Sequence, residues 1–122
     1  MNDWIKFVVE GAPVPKGRPR FGKGKVYTPK RTKAQEDLVE IMGLMEMRSK
    51  KLRPFEGRVC LSVEVVQKTP KGDIDNHLKL VSDALNGVCY VDDKQIDELH
   101  VWRTVDANQR TIITVSEVLD AG

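Results

Sequence analysis

The segment between Glu10 and Glu36 limits what this chain can fold into more than any other. It contains no acidic residue. Proline and glycine at high density cannot sustain a regular element for long, and the segment is interrupted by eight of them: Gly11, Pro13, Pro15, Gly17, Pro19, Gly22, Gly24 and Pro29. We therefore predict a long loop at about residues 11–33, with the regular elements on either side of it.

The same segment is strongly basic, with Phe21 and Tyr27 interleaved among its cations. Such a mixture suits a polyanion, because cations meet phosphates and rings meet bases or sugars. A solubilising loop without a partner is the alternative, although long structureless loops inside compact domains are usually functional or disordered. The predicted nucleic-acid contacts are Lys16, Arg18, Arg20, Lys23, Lys25, Lys30, Arg31 and Lys33.

Composition indicates one compact domain, since 40% of the 122 residues are hydrophobic and 31% are charged. No apolar run approaches the roughly 18 residues that cross a bilayer, and the start MNDWIKFVVEG lacks the order of a secretory signal. We therefore expect a cytoplasmic protein with no membrane partner. Cys60 and Cys89 lack the spacing of a zinc site or a disulfide framework.

Hydrophobic spacing predicts an α+β fold of order β-α-β-α-β-β, with about four strands in a small mixed sheet packed with two helices. Residues 4–10 and 58–67 are expected to be strands because β-formers cluster or alternate there. Residues 98–105 and 110–118 should form a hairpin joined through DANQ. A short apolar stretch, VCYV at 88–91, is strand-like.

The first helix is expected over about residues 29–49, with Thr28 as its N-cap and Pro29 in its first turn. Its methionines should fill the core, and its core-facing residues are predicted to be Ala34, Leu38, Ile41, Met42 and Met45. The second helix should begin near Asp75 and end at Gly87, burying Leu78, Val81, Ala84 and Leu85.

The stretch KGDIDNHLKL at 71–80 places two carboxylates just ahead of the second helix. In an extended chain Asp73 and Asp75 would point to the same side, about 6 to 7 Å apart. Clustered carboxylates are comfortable in open water, with some held neutral, or around a metal, and hard oxygen ligands suit Mg²⁺ or Mn²⁺. An ordinary helix start, with Asp75 as a cap paired to Lys79, is the alternative.

A second acidic pair, Asp92 and Asp93, directly follows the apolar stretch at 88–91. The end of a strand-like segment is a place from which a third metal ligand could come. A polar turn between strands is the alternative.

Taken together, GDIDNHLKLVSDALNGVCYVDDKQI at 72–96 resembles the signature of the RusA family of Holliday-junction resolvases. In that family an Asp-x-Asp-Asn element, a lysine, an Asp-Ala-Leu helix segment and an Asp-Asp pair follow in this order. Upstream, GAPVPKGRPRF and VYTPKRT are similar to the amino-terminal half of Gram-positive and phage members. The resemblance spans most of a single domain, residues 1–122.

The resemblance implies a homodimeric, Mg²⁺-dependent endonuclease that cuts four-way DNA junctions by paired incisions, with Mn²⁺ as a substitute metal and no nucleotide cofactor. Asp73, Asp75 and Asp93 match the family's catalytic acids, which would bind one or two Mg²⁺ ions, and Lys79 matches its essential lysine. Asp92 matches the lesser member of the Asp-Asp pair. His77 stands where an apolar residue is more usual, and we expect a partly exposed packing residue there.

Two other functions fit the same residues. One is a non-catalytic DNA-binding accessory protein, in which the basic loop holds DNA and the aspartates serve only as helix caps and turn residues. The other is a metal-dependent nuclease acting on flaps or single strands. Two cuts per junction need two sites, so a two-fold dimer is expected. The predicted hairpin, with Val101 and Trp102, could form its interface, although Trp102 could equally be core.

Overall fold

The structure is a computed structural model that describes residues 3–17, 20–22, 24–27 and 29–118. The predicted α+β class, with a four-stranded mixed sheet and two helices, is confirmed. No helix in these ranges is both long and apolar enough to cross a membrane. In chain order the elements are β1 (Trp4–Glu10), β2 (Arg20–Gly22), β3 (Lys25–Tyr27), α1 (Lys30–Ser49), β4 (Val59–Gln67), α2 (Ile74–Ala84), a 3₁₀ helix (Asp93–Gln95), β5 (Ile96–Val105) and β6 (Arg110–Glu117).

The main sheet has the strand order β1-β6-β4-β5. β6 is antiparallel to both β1 and β4, whereas β5 is parallel to β4 and lies at the edge. The predicted hairpin of β5 and β6 is therefore wrong, because β4 lies between them. The connection at 106–109 crosses the end of β4, where Asp106 N–H donates to Gln67 O at 3.0 Å and Lys68 N–H donates to Gln109 Oε1 at 3.2 Å.

One face of the sheet packs on the two helices and forms the core. Alternate residues of β1, β4 and β6 point into it, because successive side chains of a strand face opposite sides. The sheet contributes Ile5, Phe7, Val9, Val59, Leu61, Val63, Val65, Ile113 and Val115. The helices contribute Val39, Met47, Leu80, Val81 and Ala84.

Helix α1 has nearly the predicted bounds but buries a different face. Ile41 and Met45 are 54% and 61% exposed, while Leu38 is also exposed and Met42 is only partly buried. The buried residues are Thr32, Val39, Gly43 and Met47. Apolar residues lie on more than one face of this helix, and the close approach at Gly43 selects which face meets the core. A Cβ at that position would lie 2.6 Å from Leu85 Cδ2.

Two other predicted features differ in the structure. The basic segment contains the short β2–β3 hairpin, in which Arg20 pairs with Tyr27 and Gly22 with Lys25. Pro29 takes the N-cap position of α1, and the predicted cap Thr28 lies outside the described residues.

The stretch 88–91 is a turn rather than a strand, with Tyr90 in isolated bridges to Phe55 and Asn86. Gly87 supports the turn at a φ of +82°. Tyr90 Oη also donates to Ser82 O at 2.6 Å, which fixes the turn against α2.

The packing at Gly43 gives a prediction about stability. Alanine normally favours a helix over glycine by about 1 kcal/mol, but overpacking a core costs about 1–3 kcal/mol, and Leu85 is fully buried. We expect Gly43→Ala to lower the free energy of unfolding by about 1 kcal/mol in urea titrations. Gly57→Ala, whose new Cβ meets nothing within 4 Å, should change it little. A more stable Gly43→Ala variant would show that the Leu85 side chain shifts to accommodate the added methyl group.

Candidate functional site

Asp73 and Asp75 are exposed at the start of α2. Asp73 takes the N-cap position, and its carbonyl accepts hydrogen bonds from the backbone N–H of Asn76 and His77. Its carboxylate makes no capping hydrogen bond. Asp75 lies in the first turn, where Oδ1 accepts from Asn76 N–H at 3.1 Å. Asp75 is therefore not the N-cap, and the Asp73 carboxylate is left for another partner.

The connection between β4 and α2 is held by three side chains from three elements. Gln67 Nε2 donates to Lys71 O at 3.0 Å, and Gln67 Oε1 accepts from Arg103 Nε at 2.8 Å. Arg103 Nη2 donates to the carbonyls of Lys71 and Gly72. His77 Nε2 lies 3.1 Å from Lys71 O, so this ring nitrogen carries the hydrogen. We call these three side chains the carbonyl clamp.

His77 is buried, at 3% exposure, and the expectation of a partly exposed residue was wrong. The ring fills the space beside Gly72, whose φ is +74° and whose added Cβ would lie 3.3 Å from His77 Nε2 and 3.2 Å from Pro15 Cγ. Burial lowers the pKa of His77, and the charge of Arg103 lowers it further, while the hydrogen bond to Lys71 O acts in the opposite direction. No sequence pattern indicates the roles of Gln67 and Arg103, since both lie within strands.

Lys16 anchors the proline-rich part of the basic segment. Its Nζ lies 2.6 Å from Glu36 Oε1 and 3.2 Å from Asp83 Oδ2. Burial lowers the pKa of Lys16, but the hydrogen bonds and charges of the two acids outweigh this and raise it. Its backbone N–H also donates to Asn76 O at 3.0 Å. Lys16 is thus occupied by protein acids rather than free for phosphate.

Asp83 connects this anchor to the predicted essential lysine. Lys79 Nζ lies 3.7 Å from Asp83 Oδ1, one helical turn farther along α2. Lys79 therefore pairs toward the helix C-terminus, rather than with Asp75 as the alternative interpretation supposed. Asp83 was not a predicted site residue, although its spacing of four from Lys79 was a signal for the contact.

Asp92 caps the short 3₁₀ helix. Its carboxylate accepts from Lys94 N–H at 2.9 Å, and its own N–H donates to Gln95 Oε1 at 2.8 Å. Gln95 Nε2 in turn donates to the carbonyls of Phe55 and Gly57. The Lys94 N–H and a hydrogen bond with Asp93 lower the pKa of Asp92.

Asp93 lies at the other end of α2 from Asp73. The hydrogen bond with Asp92 raises its pKa, burial and the negative charges of Asp92 and Asp83 act in the same direction, and Lys79 opposes them. Asp73 lies on the connection that follows the end of β4, whereas Asp93 precedes β5, whose first residue pairs with the start of β4. Asp93 therefore lies near Asp83 and Lys79.

Within the described ranges, no three His, Cys, Asp or Glu side chains lie close enough to hold a metal ion. One protomer therefore does not bring Asp73, Asp75 and Asp93 together as a three-carboxylate site. Their joint assignment as metal ligands stays a prediction.

The predicted DNA-binding cations fall into three groups. Lys16 and Lys33 are paired with acids, since Lys33 Nζ lies 3.0 Å from Asp37 Oδ1. Arg18 and Lys23 lie outside the described residues, and Arg20 is described only as part of β2. The exposed remainder is Lys25, Lys30 and Arg31.

These features define a small α+β domain with an acidic helix start beside a basic segment. The sequence model of the family "Endodeoxyribonuclease RusA" matches residues 10–116. The chain is also 33% identical over 139 residues to the uncharacterized protein YqaN of Bacillus subtilis (strain 168), covering 95% of this chain and 98% of that protein. The chain belongs to the RusA endodeoxyribonuclease family, which confirms the resemblance noted in its sequence.

The burial of His77 predicts how stability changes with pH. An unfolded histidine titrates near pH 6.5. Because the pKa of the folded His77 is lower, its contribution to the free energy of unfolding is fully present above about pH 6.5. This contribution is lost as the pH falls toward the folded pKa. In metal-free buffer, we expect the free energy of unfolding to fall as the pH drops below about 6.5, and to fall less in His77→Gln. The exposed His100 supplies the control, His100→Gln, which should behave like the wild type. Equal pH dependence in His77→Gln and the wild type would contradict this account.

Proposed function

We propose that this protein is a structure-specific endodeoxyribonuclease that resolves four-way (Holliday) DNA junctions by paired phosphodiester hydrolysis. Family membership supports the nuclease class. The observation that favours catalysis over a purely DNA-binding role is the Asp73 carboxylate. It stands exposed at the N-cap of α2 without making the capping bond that would explain it.

The donor chemistry of Asp73 and Asp75 fits Mg²⁺, with Mn²⁺ as a substitute. Mg²⁺ commonly binds one or two carboxylates, several waters and substrate phosphates rather than an all-protein cage. Two exposed carboxylates near DNA match that mode, and the site needs no third protein ligand to begin binding. When bound, the ion would activate water and neutralise charge on the phosphate.

Lys79 on α2 and Asp93 at the start of the 3₁₀ helix near it are proposed to act on the same substrate. Lys79 is 62% exposed, so its ammonium group can turn from Asp83 toward a phosphate and stabilise developing negative charge. For Asp93 to be a metal ligand, binding of DNA or of a second protomer must bring it toward Asp73 and Asp75.

Paired incision calls for a homodimer, and the edge strand β5 is its proposed interface. Natural proteins rarely leave a long apolar edge strand uncovered. β5 has ten residues, and Leu99, Trp102 and Val105 on it are exposed. Trp102 is therefore not a core residue. It is exposed on an edge strand that pairs with β4 and not with the predicted hairpin partner β6.

The central prediction concerns Asp73. We expect Asp73→Asn to reduce junction cleavage by more than about 100-fold, since even outer-shell changes at metal sites cost about 10–100-fold. Junction binding should be retained or improved, because a negative charge near phosphate is removed. Cleavage of a labelled junction and gel-shift binding measure the two effects. Asp3→Asn, at the opposite end of the sheet, is the matched control and should cleave normally.

The choice of substrate separates the three candidate functions. With Mg²⁺ present, symmetric nicks on a four-way junction alone support the resolvase. Cutting of a flap supports the second nuclease, and binding without cleavage of the junction, flap or linear duplex supports an accessory protein. Normal turnover by the Asp73→Asn variant would show that Asp73 does not take part in cleavage.

The interface gives a further prediction. At micromolar concentration, sedimentation should give twice the 13.8 kDa chain mass. Trp102→Glu should shift the protein toward monomer, since it puts a charge into the proposed contact. Trp4→Glu introduces the same charge at the opposite edge strand and should remain dimeric. A monomeric wild-type protein would count against paired incision, and a monomeric Trp4→Glu variant would move the interface to β1.

A further inference from the structure

A cleft of about 420 Å³ lies beside the connection that leads into α2. One wall is the proline-rich stretch with Pro13 and Pro15, and Arg31 in the first turn of α1 faces it. The other wall is the turn after β4, with Lys68 and Lys71. Its volume is within the range of ligand sites.

The charged residues that line the cleft are all positive. Arg31, Lys68 and Lys71 line it, and no acidic residue does. Among the described residues, these three exposed cations form no ion pair with an acid, in contrast to Lys16 and Lys33. The predicted DNA contacts include Lys16 and Lys33 but not Lys68 or Lys71, so the structure changes which cations are free to meet an anion.

The cleft is also held in shape before any ligand arrives. The buried Gln67 bonds both the N–H and the C=O of Lys71, and Gln109 Oε1 accepts from Lys68 N–H. Both lysines thus project from a turn whose backbone is fixed at two points. Cations on a backbone that is already held lose less freedom when they bind than cations on a loose loop.

We propose that this cleft binds a backbone phosphate of the DNA substrate and so positions the strand at Asp73. The proposal rests on the proposed function for the identity of the polyanion. Lys71 precedes Asp73 by two residues, so a phosphate held in the cleft belongs to a nucleotide near the one presented to that carboxylate. Such contacts set the register of the duplex without reading its sequence.

The test compares two double variants that each remove two positive charges. One is Lys68→Ala with Lys71→Ala; the matched control is Lys6→Ala with Arg53→Ala, both exposed residues away from the cleft lining. Binding of a four-way junction and of a linear duplex is measured over a range of salt concentrations in metal-free buffer. For the loss of the one phosphate held in the cleft, the slope of log affinity against log salt should become shallower by about 0.9.

The expected result is a clear loss of affinity and the shallower slope in the cleft variant, with a smaller change in the control. Lys68→Arg with Lys71→Arg should bind as the wild type does, because the charges remain. An unchanged slope in the cleft variant, or equal changes in both double variants, would overturn the proposal. Because binding is scored without metal, a wild type that binds but never cleaves refutes the proposed nuclease function alone.

Discussion

The carbonyl clamp of Gln67, His77 and Arg103 is the interaction on which the candidate site depends. It converges on the backbone oxygens of Lys71 and Gly72 from β4, α2 and β5. A net hydrogen bond contributes only about 0.5–1.5 kcal/mol, but a buried group left without a partner costs about 1–3 kcal/mol. Among the described residues no buried side-chain polar atom lacks a partner. The clamp therefore fixes the chain immediately before Asp73.

Local sequence pattern predicted the elements well where one face of an element had a single possible partner. In β4, the residues Val59, Leu61, Val63 and Val65 alternate with less hydrophobic ones, so its buried face followed directly from the period of a strand. The face of α1 did not follow, because apolar residues surround much of that helix and the small Gly43 decides which side can approach Leu85. Pairing of β5 with β4 rather than with β6 is a long-range choice that the connection DANQ does not encode.

The same difference between local pattern and long-range contact decides which site residues could be predicted from the sequence. Asp73, Asp75 and Lys79 are close in sequence, so their place on α2 could be predicted from helical spacing. Asp93 depends on how α2 returns the chain to the start of β5, and this topology puts it beside Asp83 and Lys79. The local density of positive charge likewise could not show that Lys16 forms ion pairs with Glu36 and Asp83, since those acids lie on two different helices.

Opposite charges thus lie on either side of Gly72. Asp73 and Asp75 lie at the N-terminus of α2, where the helix dipole favours negative charge, while Lys68 and Lys71 lie on the turn just before it. A DNA strand is repelled by the first group and attracted by the second, so cations next to the acids lower the cost of bringing phosphate close. Under the proposed function, a divalent metal would remove the remaining repulsion, and binding by the cleft and cleavage at the aspartates would be separable steps.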